Sequence, residues 1–413
     1  MVDFVTHHDL LDRVAATEFD RPPAIVANAH ITGLGVARAL SAHDVPVITV
    51  DRTGDGAAPP SDAVDFAGAV TYPLDDRDAF REDVEAIADA AGTDLVGFGC
   101  MDEWVHGFAG TEPEGVRLPF AGRDVVDAVL DKTSLYRIAE ELAVPYPATR
   151  WLSDPGVDVE TAIEDLGLPL VVKPALKREF EEAVGTNVIE VRTETEFQGV
   201  LRMAAEAGIE ILAQEKVPIA RGEDASLASY VPPSGVEEAL GIVGNAKVRN
   251  PRGYGTSCVV ERTHLPGIED MALSVLAETG YYGINEAEFV YDADRESYVL
   301  LDVNTRPWKW IGLPVAAGAN LPMAAYASVT GADYEPGDLH DATWVSLSDY
   351  VDLLATTDDF RDVLAPAEWR AFLSGDFEEQ PNVTAAVYRP SDPEPAVRIV
   401  RNELGGHEYY CSC

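Results

Sequence analysis

The segment EAEFVYDADRESYVLLDVNTR constrains this chain more than any other. It reads as two strands, Glu286 to Tyr291 and Tyr298 to Asn304, joined by a polar turn from Asp292 to Ser297. Successive strand side chains point to opposite faces, so Ala287, Phe289 and Tyr291 share one face, as do Val299, Leu301 and Val303. Putting both apolar faces on one core fixes the register. Glu288, Asp302 and Asn304 then share the other face, with Arg306 just beyond. Carboxylates brought together in this way repel one another, and a hard cation relieves the repulsion. Oxygen ligands of this kind suit Mg²⁺, which often bridges to substrate phosphates. A solvated hairpin face in an acidic protein is the alternative, and the hairpin alone does not choose between them. Pro307 has no N–H to give and should end the ladder, leaving Trp308, Lys309 and Trp310 to turn toward a pocket or simply to pack.

Upstream, PAIVANA, the helix TGLGVARALSAH and the strand VPVITVD form a βαβ pattern ending at Asp51, which implies a parallel sheet. DLVGFG and the helix MDEWVHGFAG extend it, so residues 1–120 read as one open α/β domain. Gly33-Leu34-Gly35 with Asp51 is an incomplete dinucleotide fingerprint, because Arg38 stands where the third glycine belongs. The two glycines read better as a tight turn and a close helix contact. Apolar residues from Val126 to Leu142 recur at helical spacing until Pro145 and Pro147 stop the helix, and Lys132 sits in a helix-start context, Leu130-Asp131-Lys132-Thr133-Ser134. A second acidic helix runs from Val159 to Leu166.

LPLVVKPAL then reads as a buried strand ending in Lys173-Pro174, which leaves the Lys173 ammonium at the rim of a core, either to meet a phosphate or to snorkel. ILAQEKVPIARGED is a strand followed by a linker that can show its backbone to a purine edge and a carboxylate to ribose, or that serves as an ordinary loop. A mixed α+β region continues to about residue 325, and residues 331–413 read as helices beside the main body, with no catalytic constellation.

Composition narrows the partners. The 413 residues carry 72 acids against 30 bases, a formal charge of -42 spread along the sequence, which disfavours nucleic acid and anionic membranes. Such a surface fits adaptation to high salt, where screening removes self-repulsion. Lysine is scarce: Lys132, Lys173, Lys177, Lys216, Lys247 and Lys309 are all there is, so each invites a functional question. Cys100, Cys258, Cys411 and Cys413 make no disulfide framework at this length. Without a basic, apolar leader or an apolar run of about 18 residues, a cytoplasmic protein is expected.

In their order, ANAHITGLGVARAL, LDKTSLYRIAEELAVPYPAT, VVKPA, QEKVPIARGED, KVRNPRGYGT and EAEFVYD with LLDVNTRPWKW resemble the ATP-grasp superfamily, and within it the carboxylate-amine ligases of the D-aspartate ligase-like kind. The resemblance covers roughly residues 20–325. It implies an N-terminal open parallel α/β (pre-ATP-grasp) domain over 1–120, a two-lobed ATP-grasp domain over 121–330 with its small lobe at about 145–220, and a helical or irregular extension over 331–413. Carried over by position, Lys132 and Lys173 look like the lysines on the nucleotide phosphates. Glu215, Lys216 and Val217 resemble the adenine hinge, and Glu223 or Asp224 the ribose-binding acid. Lys247 and Arg249 resemble bases facing phosphates or substrate, Glu288, Asp302 and Asn304 the metal set, and Arg306 the arginine beside the reacting carboxylate. The implied ligands are ATP and Mg²⁺, with Mn²⁺ as its substitute, and the implied substrates a small carboxylate and an amine. A homodimer is a common habit of the family. Asp302 stands where Glu is more usual, and the loop 175–187 has a single glycine, so Lys177 or Arg178 would replace a backbone phosphate cradle. The rival expectations are a nucleotide-binding regulatory module without turnover and a dinucleotide-dependent oxidoreductase.

Overall fold

The computed structural model describes residues 2–174, 188–250, 255–357, 361–377, 380 and 382–404. Lys177, Arg178, Cys411 and Cys413, all singled out in the sequence, lie outside the described residues.

The N-terminal unit is a parallel sheet of β1 (Ala24–Ala27), β2 (Val47–Asp51), β3 (Phe66–Ala69), β4 (Leu95–Gly99) and β5 (Val116–Arg117), ordered β3-β2-β1-β4-β5. Helices on both faces bury β1, β2 and β4 throughout, which is why these strands are continuous apolar runs without alternation. Strand order reverses between β1 and β4, and ligand crevices in open α/β sheets form at the carboxyl ends of such a pair. The two glycines have separate jobs. A Cβ on Gly33 would lie 2.1 Å from the Asn28 carbonyl oxygen, and one on Gly35 would lie 2.6 Å from Ile311 Cγ2. Gly33 thus lets the helix Ile31–Ser41 start against β1, and Gly35 lets that helix pack on the chain after Trp310. Asp51 takes the Ala29 N–H at 2.8 Å and the Arg52 N–H at 2.7 Å. It holds the turn after β1, the position where a dinucleotide enzyme would offer a carboxylate to ribose.

Asp131 divides the stretch expected as one helix into two, Arg123–Leu130 and Lys132–Glu141. Its backbone is extended, and its carboxylate accepts from Thr133 N and Ser134 N, so it caps the second helix and makes Lys132 that helix's first residue.

A four-stranded sheet follows, built from β6 (Thr149–Trp151), β7 (Leu170–Pro174), β8 (Ile189–Val191) and β9 (Ile211–Glu215) in the order β6-β9-β7-β8. It has its own small core, in which Leu170, Val172, Phe197 and Ala213 are fully buried. The third sheet has seven strands, β10 (Asp224–Val231), β11 (Leu240–Asn250), β12 (Thr256–Thr263), β13 (Gly283–Asp292), β14 (Ser297–Asn304), β15 (Thr343–Val345) and β16 (Val383–Ala385), ordered β14-β13-β10-β11-β12-β15-β16.

β15 and β16 add two short strands to the segment beyond 331, which the sequence reading gave as helical or irregular. Each is three residues long, too short for its alternation to show in the sequence. The same C-terminal segment is clasped to the first domain: Asp392 accepts from Arg38 Nη2 at 2.7 Å, Arg38 Nε at 3.1 Å and Ser61 Oγ at 2.6 Å. Arg38, the residue in place of a third glycine, is buried. Asp392→Ala should therefore strand a buried guanidinium and cost about 3 kcal/mol, seen as a lower denaturation midpoint than that of the variant Ser391→Ala at the neighbouring exposed position. Among the described residues no helix is long and apolar enough to cross a membrane.

Candidate active site

A cleft of about 200 Å³ lies between the four-stranded and seven-stranded sheets. Among the sequence-selected residues its walls include Lys132, Lys173, Glu215, Lys216, Val217, Asp224, Arg249, Glu288, Asp302, Asn304 and Arg306. Two selected residues are elsewhere. Glu223 is exposed, and Lys247, although on β11, does not line the cleft.

At the hinge, the Glu215 carboxylate is already in use: it accepts from Ala148 N at 2.6 Å and pairs with Arg295 at 2.8 Å. Lys216 is likewise paired with Glu190 Oε2 at 2.7 Å. What residues 215–217 have to offer a ligand is backbone. The chain that follows, Pro218 to Ala220, is strapped to the turn end of the hairpin by Ala220 N to Tyr291 O and Ala293 N to Pro218 O, both 2.9 Å.

The hairpin pairs Glu286 with Asn304 and Glu288 with Asp302, as alternation requires. A β-bulge then intervenes, and Phe289 pairs with Leu300. Leu301 is the extra residue, so it does not face the core with Val303: it lines the cleft, and Leu300 takes its place against Phe289. Val299 likewise opposes Val290, a cleft residue. Tyr136 donates to the Leu301 carbonyl at 2.7 Å, linking the helix that starts at Lys132 to the bulge.

Each of four cleft cations pairs with an acid from another element. Lys132 Nζ lies 2.8 Å from Asp302 Oδ1, Arg249 Nε 2.9 Å from Asp224 Oδ2, Arg306 Nε 2.5 Å from Asp102 Oδ1, and Lys309 Nζ 2.5 Å from Asp349 Oδ2. Lys173, near the end of β7, is buried in the wall.

Glu286 is a cleft carboxylate that sequence reasoning passed over. Its parity matches Glu288, and that was the available signal. Asn304 Nδ2 bridges the two glutamates, at 2.9 Å to Glu288 and 3.2 Å to Glu286. Burial, and then the neighbouring Glu288 charge, push the Glu286 carboxyl up to about 8. A carboxyl raised in the folded state favours folding below its unfolded pKa, and that contribution is lost as pH rises through the folded value. Nucleotide-free protein should therefore lose thermal stability between about pH 4.5 and about pH 8, and Glu286→Gln should flatten that slope in melts across the range.

No cluster of three His, Cys, Asp or Glu side chains able to hold a metal occurs among the described residues. The donors present are hard oxygens in two facing pairs, Glu288 with Asp302 and Glu286 with Asn304. They fit Mg²⁺ shared with substrate phosphates, as opposed to an all-protein cage.

An N-terminal parallel α/β sheet, then two lobes closing a cleft lined by lysines, carboxylates and a strapped hinge, is the ATP-grasp fold, and solved structures bear this out. N5-carboxyaminoimidazole synthetase of Staphylococcus aureus superposes with a TM-score of 0.62 at 13% identity, over 84% of this chain and 88% of that one. The biotin carboxylase–β-γ-ATP complex of Campylobacter jejuni gives 0.60 at 12%, over 78% and 74%. N5-carboxyaminoimidazole ribonucleotide synthetase of Thermus thermophilus gives 0.58 at 17%, over 78% and 82%. In sequence, the C-terminal section of the carbamoyl phosphate synthase large chain of Methanopyrus kandleri is 23% identical over 219 residues, 51% of this chain and only 38% of that protein. No family model matches the chain.

Proposed function

We propose that this protein is an ATP- and Mg²⁺-dependent ligase that joins a small carboxylate to an amine, releasing ADP and phosphate. The observation that carries this reading is the Lys132–Asp302 contact in one cleft with residues 215–217 and Arg306. A substrate carboxylate oxygen attacks the γ-phosphorus of ATP and ADP leaves. The amine nitrogen then attacks the acyl carbon, phosphate leaves, and the nitrogen gives up a proton. Phosphoryl transfer asks the protein mainly for positioning and charge neutralisation. Lys132 and Lys173 are suited to the phosphates, and Arg306 to a carboxylate through paired N–H donors. Glu288, Asp302 and Asn304 would hold Mg²⁺, which supplies further neutralisation when bound. The neighbours agree with this: the Staphylococcus aureus synthetase was also solved with ADP, and the Campylobacter jejuni enzyme with an ATP ligand.

The finer assignment, to the D-aspartate ligase-like carboxylate-amine ligases of a salt-adapted organism, rests on the quoted motifs and on the charge of -42. Its test is ADP release in high-salt buffer with pooled amino acids, D-aspartate included, followed by mass analysis of the product. A new amide with stoichiometric ADP is expected. Tight ATP binding with no turnover in any pool would make the protein a nucleotide-binding module. An unchanged cooperative transition in low salt would remove salt adaptation as the reason for the charge.

A further inference from the structure

The end of the cleft away from the hinge contains chemistry that nucleotide binding leaves unused. Ala220, three residues past the hinge, is bonded to Tyr291, and from there β13 runs five residues, about 16 Å, to the Glu286–Asn304 pair. Arg306 to Trp310 lie beyond that pair along the chain. Trp308 and Trp310 are buried edge to face, with centroids 4.9 Å apart, and form a dry wall. Lys309, between them in sequence, also lines the cleft and is 9% exposed.

Two elements fix its ammonium. Asp349, on the helix Leu347–Thr356, accepts at 2.5 Å, and Thr256, at the start of β12, accepts at 3.0 Å. Asp349 is itself held by the Ser346 hydroxyl. An ammonium has three donors, and these contacts use two of them among the described residues. Thr256 spends an acceptor on Lys309 and keeps its O–H to give. Ser257 lines the same end, and its hydroxyl has no described protein partner. The ammonium can only donate and both hydroxyls are able to donate, so together they suit an oxygen anion. A purely structural ion pair pays desolvation wherever it is buried and has no need of a place in a cleft wall.

We propose that Lys309 anchors a carboxylate of the non-nucleotide substrate, one carried by a free amino acid or a dicarboxylic acid, and that Asp349 is its positioning residue. The C-terminal segment thereby completes the site. The proposal rests on the ligase reading above and deepens it.

The test is lysine labelling of the full chain with acetic anhydride, read residue by residue by mass spectrometry. The probes are a non-hydrolysable ATP analogue, alone and with pooled amino acids and dicarboxylates. Nucleotide alone should slow labelling of Lys132 and Lys173 and leave Lys309 unchanged. Adding the effective pool at ten times its dissociation constant should slow Lys309 about tenfold by mass action. Asp349→Asn should reduce that protection below about twofold while nucleotide still protects Lys132 and Lys173, and Asp349→Glu should restore it. Protection of Lys309 by nucleotide alone, by no pool, or equally well in Asp349→Asn overturns the proposal. Failure of nucleotide to protect Lys132 and Lys173 in the wild type overturns the ligase reading itself, so the two failures are told apart.

Discussion

Asp302→Asn is expected to remove Mg²⁺-dependent ADP release, by about 10³-fold or more, the scale of losing a principal electrostatic contact in a charge-transfer step. The substitution keeps the side chain's size and one carbonyl oxygen, so the bond that Asp302 Oδ1 accepts from Val303 N at 3.0 Å can persist. What disappears is charge. Asp302 faces Glu288 across the hairpin and holds Lys132 at 2.8 Å, so it serves both the proposed metal position and the proposed phosphate lysine. Lys132 is buried, and taking away its acid leaves an uncompensated ammonium at a cost of about 3 kcal/mol. Loss of activity through unfolding must therefore be separated from loss of chemistry. The double variant Lys132→Met with Asp302→Asn removes both charges and should recover much of the thermal stability while staying inactive. Turnover near wild type in Asp302→Asn would end the metal assignment. Inactivity reversed in the double variant would show that folding, and not catalysis, had been lost.

The residues behind that prediction were legible because a strand's period of two is strict. Glu288, Asp302 and Asn304 are found together, as alternation requires, and Lys132 starts a helix where its neighbours indicate. The bulge was not legible. Alternation assigned Leu301 to the core, but one extra residue in β14 exchanges the roles of Leu300 and Leu301, and either leucine satisfies a hydrophobic pattern. The segment ILAQEKVPIARGED gave no hint that the Glu215 carboxylate would be spent on Ala148 and Arg295, because its partners are 67 and 80 residues away.

Long range is also the reason that two of the acids paired with the cleft cations, Asp102 and Asp349, escaped notice. Asp102 reaches Arg306 across 204 positions and Asp349 reaches Lys309 across 40. Local patterning reports which face a side chain takes and is silent on what another element brings to it. The segment beyond 331, in which the sequence shows no catalytic constellation, supplies one such acid: the helix carrying Asp349 shows an amphipathic pattern and nothing more, and only its packing beside β11 and β12 brings that acid to Lys309.

Arg306→Lys should lower kcat/KM by about 10²- to 10³-fold and leave ATP affinity nearly unchanged, a loss of roughly 3–4 kcal/mol in transition-state stabilisation. Arg306 is buried at the meeting of the first domain and the hairpin, with Nε on Asp102 and Nη1 on the Pro307 carbonyl at 3.2 Å. Among the described residues Nη2 makes no hydrogen bond, so two corners of the guanidinium are anchored and Nη2, with the second Nη1 hydrogen beside it, is left for a ligand. Lysine keeps the charge and can still reach an acid, but one ammonium cannot hold Asp102 in this geometry and also meet a carboxylate as a planar fork does. The effect should thus fall on the carboxylate substrate, since the hinge and Lys173 are untouched. Asp102→Asn tests the anchor separately: it keeps an acceptor for Nε and should cost about tenfold, the scale of one charge-assisted hydrogen bond. If Arg306→Lys weakens ATP binding as much as turnover, the residue faces phosphate, and the reacting carboxylate must be held elsewhere. If both variants turn over at wild-type rates, Arg306 is a structural tie between the domains. The predicted pattern, a large loss for lysine, a small one for Asp102→Asn and an unchanged nucleotide affinity, follows only from a guanidinium aimed by the first domain at a substrate held by the second.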